Sequence, residues 1–245
     1  MSIKKKSGGQ LKYIANDNIF DNITNNEAYL LGFLITDGYI SKKYHKIGIQ
    51  LSIKDIEHLN NIKKLISPNS NIRTSNRTLH GKIYGICCLE FTSHKIYNYL
   101  LSIGFTNQKT WSPPNLFNII PKQYHWDYFR GIFDGDGCIS HTTRKKIYYY
   151  NRLSIVSFSE GFLNSIKDFV GCGSIYKPKH KRCPDYRVNK VRNIVEICKK
   201  MYLNKDCIKL ERKYEKFLEI ESNCNGNRID NNKKHWDLLA GEGNG

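Results

Sequence analysis

Two segments 99 positions apart in this chain end in the same Asp-Gly: Ala28 to Ile40 reads AYLLGFLITDGYI and Asp127 to Ile139 reads DYFRGIFDGDGCI. Overlaid without a gap they agree at Tyr29/Tyr128, Gly32/Gly131, Asp37/Asp136, Gly38/Gly137 and Ile40/Ile139, and apolar residues match at the helix positions Leu30/Phe129, Phe33/Ile132 and Leu34/Phe133. Those five identities in thirteen fall where a helix must pack closely or stop, which implies a duplicated unit. A chain built twice around one carboxylate presents two carboxylates that can meet on a pseudo-twofold axis.

The remaining chain keeps the repeat. Thr24-Asn25-Asn26-Glu27 has the form of a capping box before an apolar run, so a helix is expected from about Asn25 to Gly38. Ile47, Ile49, Leu51 and Ile53 then alternate with Gly48, Gln50 and Ser52, the period of a strand with one buried and one polar face. Helical spacing follows over Lys54 to Ser67, strands around Ile72 to Asn76 and Ile83 to Thr92, and a helix over His94 to Ser102. The second copy repeats this order, and Leu163 to Val170 matches Leu59 to Ile66 at four of eight places with the offset grown to 104. The five extra residues are expected in a longer loop around His141 to Tyr150. A last helix is expected over about Ile208 to Glu221.

The expected fold class is α+β: two pseudo-twofold-related αββαββα units whose Asp-Gly helices pack against each other. The expected segments are a basic N-terminal arm (1–23), a first unit (24–110), a Pro-rich linker (111–122), a second unit (123–222) and a polar tail (223–245).

Lys and Arg number 39 against 22 acids, a formal charge of +17, and many of the 16 tyrosines adjoin a Lys or Arg. That is the footprint of a polyanion-binding surface, with nucleic acid the favoured partner and an acidic membrane surface second. No run of eighteen apolar residues occurs and MSIKKKSGGQ leads into no signal region, so an intracellular protein is expected. The eight cysteines include no Cys-x-x-Cys and read as reduced thiols, and Cys172, His180 and Cys183 lack regular zinc spacing and a clear fourth ligand.

Gly32 and Thr36, like Gly131 and Gly135, lie four apart, which lets two helix backbones approach closely. Gly38 and Gly137 are expected as left-handed helix terminators, leaving Asp37 and Asp136 at neighbouring helix ends. A carboxylate there opposes the helix dipole, and a second one nearby adds repulsion. Either one carboxyl keeps a proton or a hard divalent cation neutralises the pair. Beside a basic surface, Mg²⁺ shared with phosphates is the favoured answer.

Leu30 to Gly38 (LLGFLITDG) and Phe129 to Gly137 (FRGIFDGDG) resemble the two nine-residue motifs of a single-chain LAGLIDADG homing endonuclease, and the likeness runs over roughly residues 24 to 222. The resemblance implies a saddle of two antiparallel four-stranded sheets lying in the DNA major groove, with the motif helices packed at its centre, under the minor groove between two scissile phosphates. It implies Asp37 and Asp136 as metal-binding acids, with the carbonyls of Thr36 and Gly135 as auxiliary ligands. The ions would stabilise the attacking and leaving oxygens of each hydrolysis, giving a staggered double-strand cut with 3′-hydroxyls and 5′-phosphates. Two or more Mg²⁺ are expected, with Mn²⁺ substituting and Ca²⁺ binding without efficient turnover.

The sixth motif position is Ile35 in one copy and Asp134 in the other, so Asp134 reads as capping or packing. Family members often place a Lys before the final helix of each unit and a polar residue on the second strand, where they order water around the phosphate; by that resemblance Lys109 and Lys209, at matching places in the two units, fit the first role. Gln50 fits the second role in unit one, with Ser154 or Ser157 opposite it. Readout of the target is expected from Tyr39, Ser41, Lys43, Lys46, Gly48 and Gln50 in unit one and Ser140, Thr142, Arg144, Lys146, Tyr148 and Tyr150 in unit two. Arg73, Arg77 and Lys82, with Lys177, Lys179, Arg182 and Arg187, extend each surface outward. Because the halves differ at these positions, a long asymmetric double-stranded DNA target and a monomeric enzyme are expected. Homing of a host intron or intein is the implied biology, with host intron RNA as a further partner. A non-cleaving regulator or an RNA maturase on the same scaffold is the alternative. The Lys-, Ile-, Asn- and Tyr-rich composition points to an AT-rich genome: an organelle, a bacterium or a phage.

Overall fold

The computed structural model describes residues 15–144, 148–178 and 183–223, with backbone alone over 141–144 and 148–150. The first repeat runs α1 (Asn25–Asp37), β1 (Gly38–Ser41), β2 (Lys46–Ser52), α2 (Ile56–Ile66), β3 (Ile72–Leu79), β4 (Lys82–Thr92), α3 (His94–Ser102). The second runs α4 (His125–Asp136), β5 (Gly137–Arg144), β6 (Tyr148–Val156), α5 (Glu160–Val170), β7 (Ser174–Tyr176), β8 (Asp185–Val188), α6 (Val191–Met201). A further helix, α7, covers residues 211–223. Each repeat therefore has the αββαββα order, and each forms a four-stranded antiparallel sheet, β1-β2-β4-β3 and β5-β6-β8-β7.

Local chemistry sets the helix starts. Glu27 Oε2 accepts the Thr24 N–H at 3.0 Å and the Thr24 hydroxyl, closing the capping box before α1. Ser93 and Ser159 cap α3 and α5, their Oγ atoms accepting the N–H groups of Ile96 and Phe162 at 3.0 and 3.3 Å. α1 carries no polar stripe, and every residue from Ala28 to Ile35 is buried. A helix apolar on all sides must be enclosed on all sides.

The chain divides into two compact units, Met1–Gly135 and Asp136–Gly245. The first includes α4 because α4 packs on α1. The linker also joins that packing: Leu116 and Ile120 are buried, and Phe117 stands edge-on to Tyr128 at 4.9 Å.

Four sequence expectations change. Residues 15–22 do not form a loose arm, since Ala15, Ile19 and Phe20 are buried and Phe20 stacks on Tyr99 at 5.1 Å. Gly38 is not left-handed: its φ is −79°, and among the described residues the left-handed glycines are Gly81, Gly104, Gly171 and Gly173, so Gly137 is not one either. What Gly38 supplies is room, because a Cβ there would lie 2.6 Å from Leu34 O. The segment expected as a long loop at His141–Tyr150 instead extends a hairpin, with β5 reaching Arg144 and β6 starting at Tyr148. Finally, Ile53 leaves the buried face, opens a 3-10 turn and covers Gly85.

Candidate functional site

α1 and α4 cross through their glycines. A methyl on Gly32 would overlap Tyr128 O and sit 2.9 Å from Ile132 N; one on Gly131 would overlap Tyr29 O and sit 2.8 Å from Phe33 N. These clashes are reciprocal under the repeat, because Tyr29 matches Tyr128 and Phe33 matches Ile132. One turn later a methyl on Gly135 would overlap Thr36 Oγ1 and lie 3.3 Å from Asp37 Oδ2. The small residues thus bring the end of α4 against Thr36 and Asp37.

Asp37 is half-buried at the C-terminus of α1, where two backbone carbonyls are held by Lys109: its Nζ donates to Ile35 O at 2.8 Å and to Thr36 O at 2.5 Å. An ammonium at a helix C-terminus opposes the negative end of the dipole. Lys209, at the matching sequence position, donates to Lys205 O at 2.8 Å and lies 4.8 Å from the Tyr214 ring centre. Asp136 is exposed at the end of α4. Burial raises the Cys183 thiol pKa, and the nearby carboxylates of Asp136 and then Asp185 raise it further.

Among the described residues no group of three or more His, Cys, Asp or Glu could hold a metal. Asp37 and Asp136 each offer hard oxygens beside a helix-end carbonyl, a donor set too small for a closed protein cage. That fits Mg²⁺, which is typically held by one or two carboxylates plus water and substrate phosphate. The softer zinc chemistry has no comparable donor set among the described residues, and His180 lies outside them.

Asp134 is structural. It is 1% exposed and accepts the Tyr29 hydroxyl at 2.9 Å, and that hydroxyl also lies 3.0 Å from His58 Nε2. The Arg130 guanidinium lies 5.0 Å from the Tyr29 ring centre and pairs with Asp127 at 2.8 Å. This buried network joins α1, α2 and α4.

Strand register shows which residues share the outer face of each sheet. In the first, Ser41 pairs with Lys46 and Lys46 with Thr92; Tyr39 pairs with Gly48 and Gly48 with Glu90; Gln50 pairs with Cys88 and Cys88 with Arg73; Arg77 pairs with Tyr84. Alternation adds Lys82 to this face and leaves Lys43 in the turn between β1 and β2, its Nζ 5.3 Å from the Tyr44 ring centre. Gly48 is a correction: it is buried under the Tyr39 ring and cannot reach a ligand. Burial first, and then a hydrogen bond with Cys88, raises the Tyr39 pKa well above its usual value, so the phenol stays a donor.

In the second sheet Ser140, Thr142, Arg144, Tyr148 and Tyr150 occupy one face by register, together with Ser154 and Arg187. Lys146, Lys179 and Arg182 lie outside the described residues. Lys177 follows β7 and pairs with Glu160 at 2.6 Å. Gln50 also has a different counterpart from the one expected. Gly38 faces Ile49 and Gly137 faces Ile155, so the residue matching Gln50 is Val156, while Ser154 matches Gly48. Gly137 and Ile155 are 18 positions apart against 11 for Gly38 and Ile49, a hairpin insertion that shifts the register.

Two acidic residues on these faces were missed. Glu90 on β4 contacts Tyr39, Lys46 and Arg73, and Asp185 on β8 pairs with Arg187 at 2.5 and 2.8 Å. The alternation Cys87, Leu89, Phe91 against Cys88 and Glu90 in β4 carried the signal that Glu90 faces outward.

Comparison with known families agrees with the two copies. Residues 25–107 match the LAGLIDADG-like domain and residues 129–224 the LAGLIDADG endonuclease domain. The chain belongs to the LAGLIDADG family. Two domains in one chain make it a two-motif member. The solved structure of the LAGLIDADG homing endonuclease I-GzeII in complex with its DNA target is similar in fold, with TM-score 0.59 and 16% identity over 87% of this chain and 93% of that one. The meganuclease I-SmaMI bound to uncleaveable DNA gives TM-score 0.55 and 13% identity over 87% and 92%. An uncharacterized protein of Methanocaldococcus jannaschii, MJ1054, is 24% identical over 126 residues, a stretch covering 49% of this chain and 14% of that protein.

Proposed function

We propose that this LAGLIDADG chain is a monomeric, site-specific DNA endonuclease that hydrolyses one phosphodiester on each strand across the minor groove. The cut leaves 3′ overhangs, and its repair mobilises a host intron or intein. The single observation that carries this reading is that each repeat delivers one acid, Asp37 or Asp136, at the end of a motif helix, and that the two helices pack through Gly32 and Gly131. The +17 charge and the polar sheet faces supply the DNA-binding surface.

Asp37 and Asp136 would hold divalent ions, assisted by the carbonyl of Gly135, whereas the Thr36 carbonyl expected as the other auxiliary ligand is taken by the Lys109 ammonium. Bound Mg²⁺ would supply charge neutralisation at the phosphate and activation of water. The chain's own part is positional. Gly135, lacking a side chain, leaves room beside Asp37 Oδ2, from which a Cβ would lie 3.3 Å, and Lys109 fixes the last turn of α1 so that the carboxylate's backbone does not fray. Gln50 on the first sheet face orients water or phosphate from that side.

The test is a pair of substitutions, Asp37→Asn and Asp136→Asn. Neither variant should linearise a plasmid carrying the target, while gel-shift affinity for the target in Ca²⁺ stays within a few-fold of the parent. Full double-strand cutting by either variant would remove that acid from the reaction.

A further inference from the structure

On a face built to meet a polyanion, one carboxylate stands at the centre of the sheet. Glu90 lies on β4, flanked by β2 and β3, and donors from the other three strands converge on it. Oε1 accepts the Tyr39 hydroxyl at 2.6 Å and the Lys46 ammonium at 3.3 Å, and Oε2 pairs with the Arg73 guanidinium. The Glu90 side chain is 17% exposed, whereas Arg73 is 69% exposed, so the acid sits beneath and the arginine projects outward.

An acid in this place works against phosphate binding: it cancels one positive charge and repels the backbone. A free Arg or Lys on a flexible stem goes to the nearest phosphate, a contact that carries no sequence information. An arginine whose guanidinium is paired with a carboxylate beneath it is drawn away from the phosphates. Its other N–H groups remain available as a fork, the geometry that pairs with guanine O6 and N7 in the major groove.

The second sheet repeats the device one row away. Register matches Glu90 with Arg187 and Cys88 with Asp185, and there Asp185 holds Arg187 by two contacts while the Arg187 guanidinium lies 3.7 Å from the Tyr176 ring centre. An arginine fixed by a carboxylate on the outer face therefore occurs in both repeats, at positions that do not correspond.

We infer that Glu90 is a specificity-determining residue: it holds Arg73, and with it Lys46, as a base reader and keeps both off the phosphates. This rests on the DNA-binding reading above. The ligand chemistry is a guanine major-groove edge under the first sheet.

Selection of bound duplexes from a randomised DNA pool by the full chain, the Glu90→Gln variant and the Arg73→Lys variant tests this. Affinity for the unselected pool is measured beside it across a salt series. Glu90→Gln should bind the unselected pool several-fold more tightly, with a salt slope steeper by about one, since a freed cation reaches a phosphate. Discrimination between selected and unselected DNA should fall by about tenfold, the scale of one bidentate base contact. The Glu90→Gln and Arg73→Lys pools should lose sequence preference at the same base pair and keep it elsewhere.

A uniform gain in affinity with discrimination intact would make Glu90 a mere charge and overturn the inference. So would loss of preference at different base pairs in the two variants. If Glu90→Gln does not fold, the Arg73→Lys pool still decides: retention of every preference overturns the proposal. Should the parent chain itself enrich no sequence, the site-specific DNA reading falls first, an outcome distinct from an unchanged Glu90→Gln pool.

Discussion

Lys109 Nζ lies 2.5 Å from the carbonyl oxygen of Thr36, the residue before the acid that ends the first motif helix. The same ammonium reaches Ile35 O at 2.8 Å, so one side chain closes the last turn of α1. Charged hydrogen bonds to helix-end carbonyls combine a favourable dipole interaction with satisfaction of otherwise orphaned acceptors.

Lys109→Met should therefore destabilise the chain by about 1–2 kcal/mol in the absence of metal and DNA, the scale of a half-buried charged contact at a helix end. A solvated surface lysine would change stability by no more than about 0.5 kcal/mol. Urea unfolding of the two proteins separates these outcomes, and cleavage should slow in the variant because the backbone beside Asp37 loses its anchor.

Two kinds of glycine should respond to alanine with opposite signs. Gly131→Ala puts a methyl into the Tyr29 carbonyl and must push α1 and α4 apart, costing about 3 kcal/mol or more, the upper end of overpacking. Gly161→Ala in α5 meets only Ser159 Oγ at 3.9 Å and should stabilise by about 0.5 kcal/mol through reduced backbone freedom in the unfolded chain. Thermal melts of both variants check the contrast; a neutral Gly131→Ala would mean the helices do not need their close approach.

Much of this architecture was legible because it is local or duplicated. The capping box at Thr24, the α3 bounds His94–Ser102 and the α5 bounds Glu160–Val170 follow from periodicity and capping residues within a few positions of each other. The roles of Gly32 and Gly131 could be read because both copies kept them. What failed depended on partners distant in the chain. Phe20 fell within the expected N-terminal arm, but it stacks on Tyr99, 79 positions further along the chain. The contacts of Glu90 lie 51, 44 and 17 positions away, on strands brought together only by the sheet order β1-β2-β4-β3. Gln50 was given a serine counterpart because hairpin length, and hence register, cannot be counted from alternation alone when strands extend into the expected loop.

Divalent ions should sort by size and coordination. Mg²⁺ and Mn²⁺ should support cleavage, EDTA should abolish it, and Ca²⁺ should support target binding with poor turnover, because its larger, irregular coordination shell does not hold the reacting oxygens in line. Gel shifts run beside cleavage assays in each ion measure the two properties separately. Equal turnover in Ca²⁺ and Mg²⁺ would argue against acids acting through tightly placed small ions.

Alkaline pH should unfold the protein through its buried phenols. Burial raises the pKa of Tyr39, Tyr128 and Tyr186 well above the ordinary 10.0, with the Leu116 N–H on the Tyr128 oxygen opposing the shift in part. A raised folded-state pKa means that the folded chain keeps protons the unfolded chain releases. The stability these groups contribute is complete below pH 10 and is lost as the pH climbs from there toward the folded-state values. The fully buried Tyr128 and Tyr186 should each steepen the loss by about 1.4 kcal/mol per pH unit in that window, and the partly exposed Tyr39 by less. Tyr128→Phe should remove one of the two full contributions and flatten the slope by between about a third and a half, as read from chemical unfolding at a series of pH values between 9 and about 11.5. An unchanged slope would place the Tyr128 hydroxyl in contact with solvent, contrary to its complete burial against the linker.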